Sequence, residues 1–537
     1  MAKAVSPKDF KGYRNDKLTF VQQDKTLHDT KFETKPVSYL RGCWRRFRRN
    51  KGSIVAGIIL LFVLSFAIFA PLGSDRTVSW NDANFSFVTP KSPLFEGTGF
   101  WDGTQEKKIY QNEYDQYRFY ETETKPVVKV LETGMDKATE QDPDTGKMIS
   151  VDVPYYKIRL DTYAIGAKIG SASVADLEKI RAWEEKTGRK ILLPIISAEA
   201  YLDEYFDAMI AAGKTTASIA FTQRKNLENK YGDSNIYYKL VLEEDAYGKL
   251  TRNPVIDFDA EGNVKDLYKR DGEGKLVYYD HTDADGVNFR IRVDYNNYYE
   301  YKYGAKCHYL FGSNANGFDI FVRLASGARL SLLLGVGVSL INLFIGLIYG
   351  SISGYYGGTV DLVMERITDI LSAIPFVIVA TLFQLHFAAS AGPVLSLLFA
   401  FVLTGWIGTA ATTRMQFYRF KDQEYVLASR TLGAKDLRLI FVDILPNALG
   451  TLITSSVLMI PGVIFSESSL SYLNIIDLSN SDITSVGTLL NEGSNFLSTN
   501  PHIIMFPAIF ISILMITFNL IGNGLRDAFN PSLRGEE

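Results

Sequence analysis

The chain has 537 residues, 47% of them apolar, with 57 Lys and Arg against 60 Asp and Glu for a formal net charge of −3. The length exceeds one ordinary domain, and the balanced charge says little about partners beyond giving no reason to expect nucleic acid. Five His and two Cys without zinc-type spacing leave little from which to assemble a hydrolytic or metal site. A mean hydropathy of zero conceals two unlike halves: 54–70 and most of 330–525 are apolar, while 72–310 is crowded with Tyr, Asp, Lys and Glu.

From the N-terminus, 1–51 reads as a cytoplasmic segment ending in Arg41, Arg45, Arg46, Arg48, Arg49 and Lys51, followed by a span at 52–71. A helix crosses the hydrocarbon layer in roughly 20 residues because backbone polar groups there must be satisfied internally. Five further spans are predicted near 328–350, 361–386, 393–412, 447–470 and 503–524. Lys and Arg are retained on the cytoplasmic side. The basic flank of the first span, the cluster Arg414 to Arg438 between spans four and five, and Arg526 with Arg534 therefore put both termini inside. Arg323 and Arg329 break this pattern at the outer start of span two, which an amphipathic segment lying on the outer surface would excuse. Cys43 and Cys307 then fall on opposite sides of the membrane and cannot pair.

This topology places 72–315 outside the cell as an inserted α+β domain. Ser173 caps a predicted helix carrying Val174, Leu177, Ile180 and Trp183 until Gly188 stops it. Phe289, Ile291, Val293 and Tyr295 alternate as in a half-buried strand, and turns are expected at 259–262, Asp271-Gly272 and Asp285-Gly286. Residues 208–215 (AMIAAGKT) nearly match a phosphate-binding loop, but the preceding run 201–212 reads as helix rather than strand. Asp257, Asp259, Glu261 and Gly262 echo a calcium loop whose twelfth position, Tyr268, lacks the required carboxylate, so a hairpin turn is favoured.

The informative stretch is the internal loop 422–446. Tyr425, Ala428 and Leu432 line one face of a short helix that Gly433 ends. Leu437, Ile440, Phe441 and Ile444 begin a second helix, which Pro446 closes before span five starts. The pair forms a compact knob with a basic rim, suited either to docking in a cytoplasmic partner's groove or to lying passively at the interface. Within the membrane, Asp361, Glu365, Arg366 and Asp369 share the inner end of span three and read as an inner gate or as structural charges. Glu365 is expected to pair with Arg366 or across to a partner. Glu467, about 30 Å along a helix from Pro446, belongs near the outer face as an outer gate, a cap or a hydrated group. Pro375, Pro461 and Pro507 are expected to kink their spans, and Gly346 and Gly350 to permit close helix contact.

The loop resembles the coupling motif of binding-protein-dependent ABC importer permeases: Glu-Ala-Ala, three residues, Gly, then Ile-Leu-Pro. Leu427, Ala428, Ser429, Gly433, Ile444, Leu445 and Pro446 stand at those positions, with Leu427 in place of the leading Glu. Residues 312–332 (GSNANGFDIFVRLASGARLSL) look like the opening of the membrane core of the dipeptide and oligopeptide permease group, with Asn314 and Phe318 where that group usually has Asp and Arg. The stretches 354–361, 364–369, 466–473 and 518–531 continue the likeness in order, so that it covers about 310–534 plus the first span and its flank. The long insert is a departure from the group.

The resemblance implies the six-helix type I importer permease fold, with an α+β extracellular domain between helices one and two and a permease core at 316–530. It implies a non-catalytic subunit in a bacterial cell membrane, carrying peptides. Its partners would be a second permease, two ATPases that bind ATP and Mg, an extracellular solute-binding lipoprotein and membrane lipid, and this chain binds no cofactor itself. Residues expected to couple to the ATPases are Glu424, Tyr425, Leu427, Ala428, Ser429, Arg430, Leu432, Gly433, Ala434, Leu445 and Pro446. Related permeases carry nickel, opines or sugars, and a six-span channel or receptor with an external sensing domain is the alternative from another class. The insert is expected to help dock the binding protein or to shield the path.

Overall fold

The computed structural model describes residues 39–72, 74, 76–118, 120–141, 148–196, 209–213, 216–219, 238–244, 250–256, 258–262, 265, 268–281, 288–478 and 483–529. The basic segment forms α1 (Tyr39–Arg49). Asn50 then breaks the chain and caps α2 (Lys51–Phe69), its side chain accepting from the Gly52 and Ser53 amides at 3.0 and 3.3 Å. A helix apolar on every face belongs in lipid, and Ile58, Leu61, Phe62 and Phe69 of α2 are exposed.

The remaining helices of the bundle are α6 (Ile320–Tyr356), α7 (Gly358–Ser372), α8 (Phe376–Ala391), α9 (Pro393–Phe420), α10 (Glu424–Thr431), α11 (Asp436–Tyr472), α12 (Val486–Ser494) and α13 (His502–Phe529). Among the described residues, five helices are long and apolar enough to cross a membrane, or six when the bent pair α7 and α8 counts as one span. Where the sequence predicts one span kinked at Pro375 over 361–386, the chain forms this bent pair. Pro375 stands at the junction and the axes diverge by 72°, because Pro has no N–H to continue the ladder and turns the residue before it away from helical geometry. Pro461 and Pro507, by contrast, lie inside continuous helices.

Span two is also corrected. Arg323 and Arg329 belong to the first turns of the 37-residue α6 rather than to a separate surface segment. Arg323 is buried against the Phe318 ring, 4.4 Å away, and lies 3.5 Å from Glu492. Arg329 reaches the carbonyls of Ala67 and Ile68 at 3.2 and 3.3 Å, supplying donors to the end of α2, whose last carbonyls have no intrahelical partner.

Gly346 and Gly350 behave as read, and Gly354 extends the stripe. A Cβ at Gly346 would meet Thr409 at 2.6 Å, one at Gly350 the Ala410 carbonyl at 2.3 Å, and one at Gly354 the Phe417 Cβ at 2.6 Å. The small residues let α6 and α9 touch backbone to backbone.

Between α2 and α6, the described residues of the insert include α3 (Gln111–Arg118), α4 (Val174–Thr187), α5 (Tyr295–Tyr303) and nine strands. β1 (Thr104–Tyr110), β3 (Met148–Asp161) and β2 (Val127–Gln141) make one antiparallel sheet in the order 1-3-2. β9 (Asn288–Asp294) pairs with β4 (Ala167–Ser173) along one edge, while β5 (Leu192–Leu193) and β8 (Tyr279–His281) divide the other. β6 (Tyr238–Glu244) and β7 (Leu250–Ile256) form a hairpin. The predicted strand at 289–295 is β9, and the predicted helix is α4, with a Ser173–Asp176 capping box and Gly188 left-handed at φ +71. Leu177 and Ile180 are buried as expected, but Val174, at the first turn, is exposed.

The stretch 259–262 is a turn, its Gly262 amide donating to the Asp259 carbonyl at 3.1 Å, and 271–275 closes the Arg270–Leu276 bridge. Asp257, Asp285-Gly286 and most of 201–215 lie outside the described residues.

Phe85, Tyr163, Tyr299 and Tyr309 with Val88 and Cys307 form an aromatic core within the insert, and further contacts join the insert to the bundle. Arg76 bonds Asp319, the cap of α6, at 3.0 Å; Phe87 meets Phe496 with ring centroids 4.8 Å apart; Asn314 donates to Glu492 at 2.9 Å. Cys43 and Cys307 are both unpaired and buried. Burial pushes the Cys307 thiol up to about 12, so near neutral pH it stays protonated and slow to alkylate.

Asp102 closes the 91–102 bridge and accepts from the Gly99 amide at 2.7 Å, the Thr104 amide at 3.1 Å and the Thr104 hydroxyl at 2.6 Å. Burial raises this carboxyl, but the bonds from Thr104 and Gly99 outweigh it and hold it below its ordinary value. A depressed folded-state pKa contributes stability that is present above the unfolded value and lost as pH falls through the folded one. Asp102→Asn is therefore expected to destabilise the insert by about 1 kcal/mol at neutral pH, the gap to the unmutated chain closing below about pH 4. Thermal melts across that range check it, and a gap independent of pH would contradict the carboxylate's role.

Candidate functional site: the 422–446 knob and its brace

The loop between α9 and α11 is built around one inward residue. Val426 of α10 is buried with Leu439, Ile440 and Ile444 against Tyr355 at the end of α6 and Phe417 of α9. Gly433 takes φ +85, where a residue with a Cβ is strained. The Ala434 amide then donates back to the Ser429 carbonyl at 3.1 Å, so the chain reverses in three residues. The two arms are tied by Ser429 Oγ donating to Asp443 at 2.8 Å and by Asn447 reaching the Tyr425 hydroxyl at 3.2 Å. Tyr355 donates to Asp436 at 2.6 Å. Because α6 meets the insert at Asp319 and the loop at Tyr355, insert and loop occupy opposite ends of the bundle.

Two details differ from the sequence reading. Pro446 does not close a separate helix: α11 runs unbroken from Asp436 to Tyr472 through a π-helical stretch, Leu439–Ile444. Since Pro cannot donate to the carbonyl four residues back and its ring crowds that carbonyl, the wider turn just before it accommodates the ring. The face predicted from Tyr425, Ala428 and Leu432 points outward, with Leu432 89% exposed. Leu427, Leu437, Phe441 and Val442 are exposed beside it, and Glu424 and Arg430 are exposed around them. Ala434 and Leu445 are half-buried against the cluster. The inward anchor Val426 went unread; an apolar residue on the opposite face from Leu427 and Leu432 in so short a helix was the available signal.

Of the four charges on α7, Asp361 is buried and Glu365 beside it shares a partner from another helix. Arg414 of α9 clamps Asp361 with Nε and Nη2, both at 2.6 Å, and reaches the Glu365 carboxylate at 3.2 and 3.3 Å. Tyr418 donates to Asp361 at 2.7 Å, and the Ser353 hydroxyl of α6 donates to it as well. Glu365 thus pairs with Arg414, not with Arg366, which bonds Asp369 at 3.0 Å on the exposed side. The result is a brace joining α6, α7 and α9 directly above the knob. Sequence supplied Asp361 but not Arg414, because 53 residues separate the partners and only the fold brings them together.

Glu467 on α11 is 1% exposed. Its carboxylate accepts from Ser331 of α6 at 2.8 Å and from Ser468 and Ser471 of its own helix at 3.3 and 3.2 Å, with Ser485 at the start of α12 also bonded. A carboxyl group so placed, ringed by hydroxyls, ties three helices together at the insert's end of the bundle.

Residues 346–535 match the family described as binding-protein-dependent transport system inner membrane component, and residues 38–86 match the N-terminal TM domain of oligopeptide transport permease C. The chain is 43% identical over 224 residues to the oligopeptide transport system permease protein OppC of Bacillus subtilis, covering 42% of this chain and 72% of that protein. It is 40% identical over 225 residues to the dipeptide transport system permease protein DppC of the same organism, covering 42% and 69%. A solved MetNI methionine ABC transporter shares 16% identity over 39% of this chain and 96% of its own, with a TM-score of 0.31.

The chain therefore belongs to the inner-membrane permease family of binding-protein-dependent ABC importers, whose members are multi-pass, non-catalytic subunits. Within that family its relatives are the OppC and DppC permeases, while residues 87–345, most of them the insert, lie outside both family matches.

Proposed function

We propose that the chain forms half of the translocation path of an ATP-driven peptide importer, with the 422–446 knob as its coupling element. The observation that carries this reading is the knob itself. A short helix is pinned by buried Val426 while Leu432 and Leu437 stand exposed, at the end of the bundle opposite the insert. Such a face fits a groove on an ATPase, and the brace above it passes displacement to α6 and α9 as a unit. On this reading the termini are cytoplasmic, in accord with the basic flanks of α1 and α9, and the insert is extracellular. ATP and Mg bind to two partner ATPases, and a second permease completes the path. Substrate arrives from a solute-binding protein, and peptide cargo follows the named function of the relatives. The insert's role in docking that protein or shielding the path belongs to the same proposal.

Reconstituted into vesicles with its ATPases and sister permease, the chain is expected to support binding-protein-stimulated ATP hydrolysis. Replacing 424–432 with a Gly-Ser linker is expected to abolish the stimulation. Hydrolysis indifferent to that replacement would favour the channel or receptor reading, and uptake of nickel, an opine or a sugar in place of labelled peptide would change the cargo.

A further inference from the structure

The insert presents to its surroundings the stretch Pro93-Leu94-Phe95-Glu96-Gly97-Thr98-Gly99-Phe100, closed at its base by the Lys91–Asp102 bridge. Leu94 is 88% and Phe100 65% exposed. Scattered exposed apolar residues need no explanation; these are singled out by where they are anchored. Phe95 stacks on Trp101 at 6.3 Å and Phe100 meets it edge-on at 5.7 Å. Trp101 lies 5.7 Å from Phe506, in the second turn of α13, and its indole donates to the Leu310 carbonyl.

From Trp101 the rings continue through Phe311, stacked on Phe506 at 4.1 Å, to Phe321 and on to Phe66 near the end of α2, 5.3 Å further. The tip thus stands level with the ends of two membrane-crossing helices, and Met505 and Ile509 are exposed on that turn of α13 and the next. Its single charge is Glu96. Gly97 and Gly99, at φ +77 and +81, and Trp101 at +55 fix its shape, and Asp102 holds the base. A preformed apolar tip in register with the spans matches the boundary between headgroups and acyl chains, where aromatic side chains settle.

We propose that residues 93–100 dip into the lipid leaflet on the insert's side and pin the insert to the membrane surface. The occupant is lipid because ring contacts set the tip at the level of Phe506 near the start of α13 and Phe66 near the end of α2, both membrane-crossing helices. The inference needs only that these helices cross the membrane, so it stands apart from the coupling assignment and the cargo. In the assembled transporter in lipid nanodiscs, nitroxides placed by Leu94→Cys, Phe100→Cys and, as an aqueous reference on charged α4, Glu178→Cys are compared by collision with oxygen and with a water-soluble nickel chelate. The unmutated chain, whose two cysteines are buried, serves as the labelling blank.

The expected result is an oxygen-to-nickel ratio several-fold higher at 94 and 100 than at 178. Equal ratios at the three positions overturn the proposal. So does shielding of 94 and 100 from both reagents only while the binding protein or second permease is present, which assigns the tip to a protein contact.

Discussion

Leu432→Asp is expected to reduce ATP-driven uptake about 30-fold, the effect of losing a hot spot worth about 2 kcal/mol, while the chain's own melting temperature stays where it was. The asymmetry follows from exposure. Leu432 is the most exposed apolar residue of the knob, and Val426, not Leu432, holds the loop together. A carboxylate at position 432 loses no internal packing and acts on the fit to a partner. Leu432→Ala is expected to fall between the two. Binding of the isolated ATPase to the purified permease, measured beside uptake, identifies the cause, and undiminished ATPase binding by Leu432→Asp would remove the knob from the contact.

Arg414→Met is expected to act in the opposite way, lowering stability whether or not an ATPase is present. Removing the guanidinium strands the buried Asp361 with only hydroxyl donors from Ser353 and Tyr418. Breaking one side of a buried ion pair costs about 3 kcal/mol or more. Partial exposure of Arg414, 28% at its side chain, moves the expected value to about 2 kcal/mol. Arg414→Lys keeps the charge but cannot reproduce the forked contact at 2.6 Å on both oxygens, so it is expected to recover only part of the loss. Combined with Asp361→Leu, Arg414→Met is expected to cost less than the two single losses added together, since no charge is then left alone. Melting of the purified chain in detergent measures all four variants, and strict additivity would deny the coupling.

Most of the membrane architecture was legible in the sequence because each span must be apolar for its whole length and because basic flanks mark the ends. The same local signals located α4 between Ser173 and Gly188, β9 by alternation, and the reversal at Gly433. What could not be read was relational. A run of apolar residues at 361–386 does not announce a 72° break, since hydropathy carries no direction. Arg323 and Arg329 looked misplaced until the fold supplied Glu492 and the end of α2. Leu432 and Val426 differ little in apolar character, and only the packing of Tyr355 and Phe417 decides which turns inward. The charges of α7 read as an inner gate or as interfacial or structural charges; only the fold shows Asp361 paired with Arg414 and Arg366 with Asp369 on the exposed side.

The length of α6 has a mechanical meaning. At 1.5 Å per residue its 37 residues make a rod of about 55 Å, well beyond the roughly 30 Å thickness of the hydrocarbon layer. One tip is tethered to Asp436 through Tyr355, and the other to the floor of the insert through Asp319 and Arg76. A displacement of the knob therefore travels along a single stiff rod to the insert at its other end, so the two ends move together instead of independently.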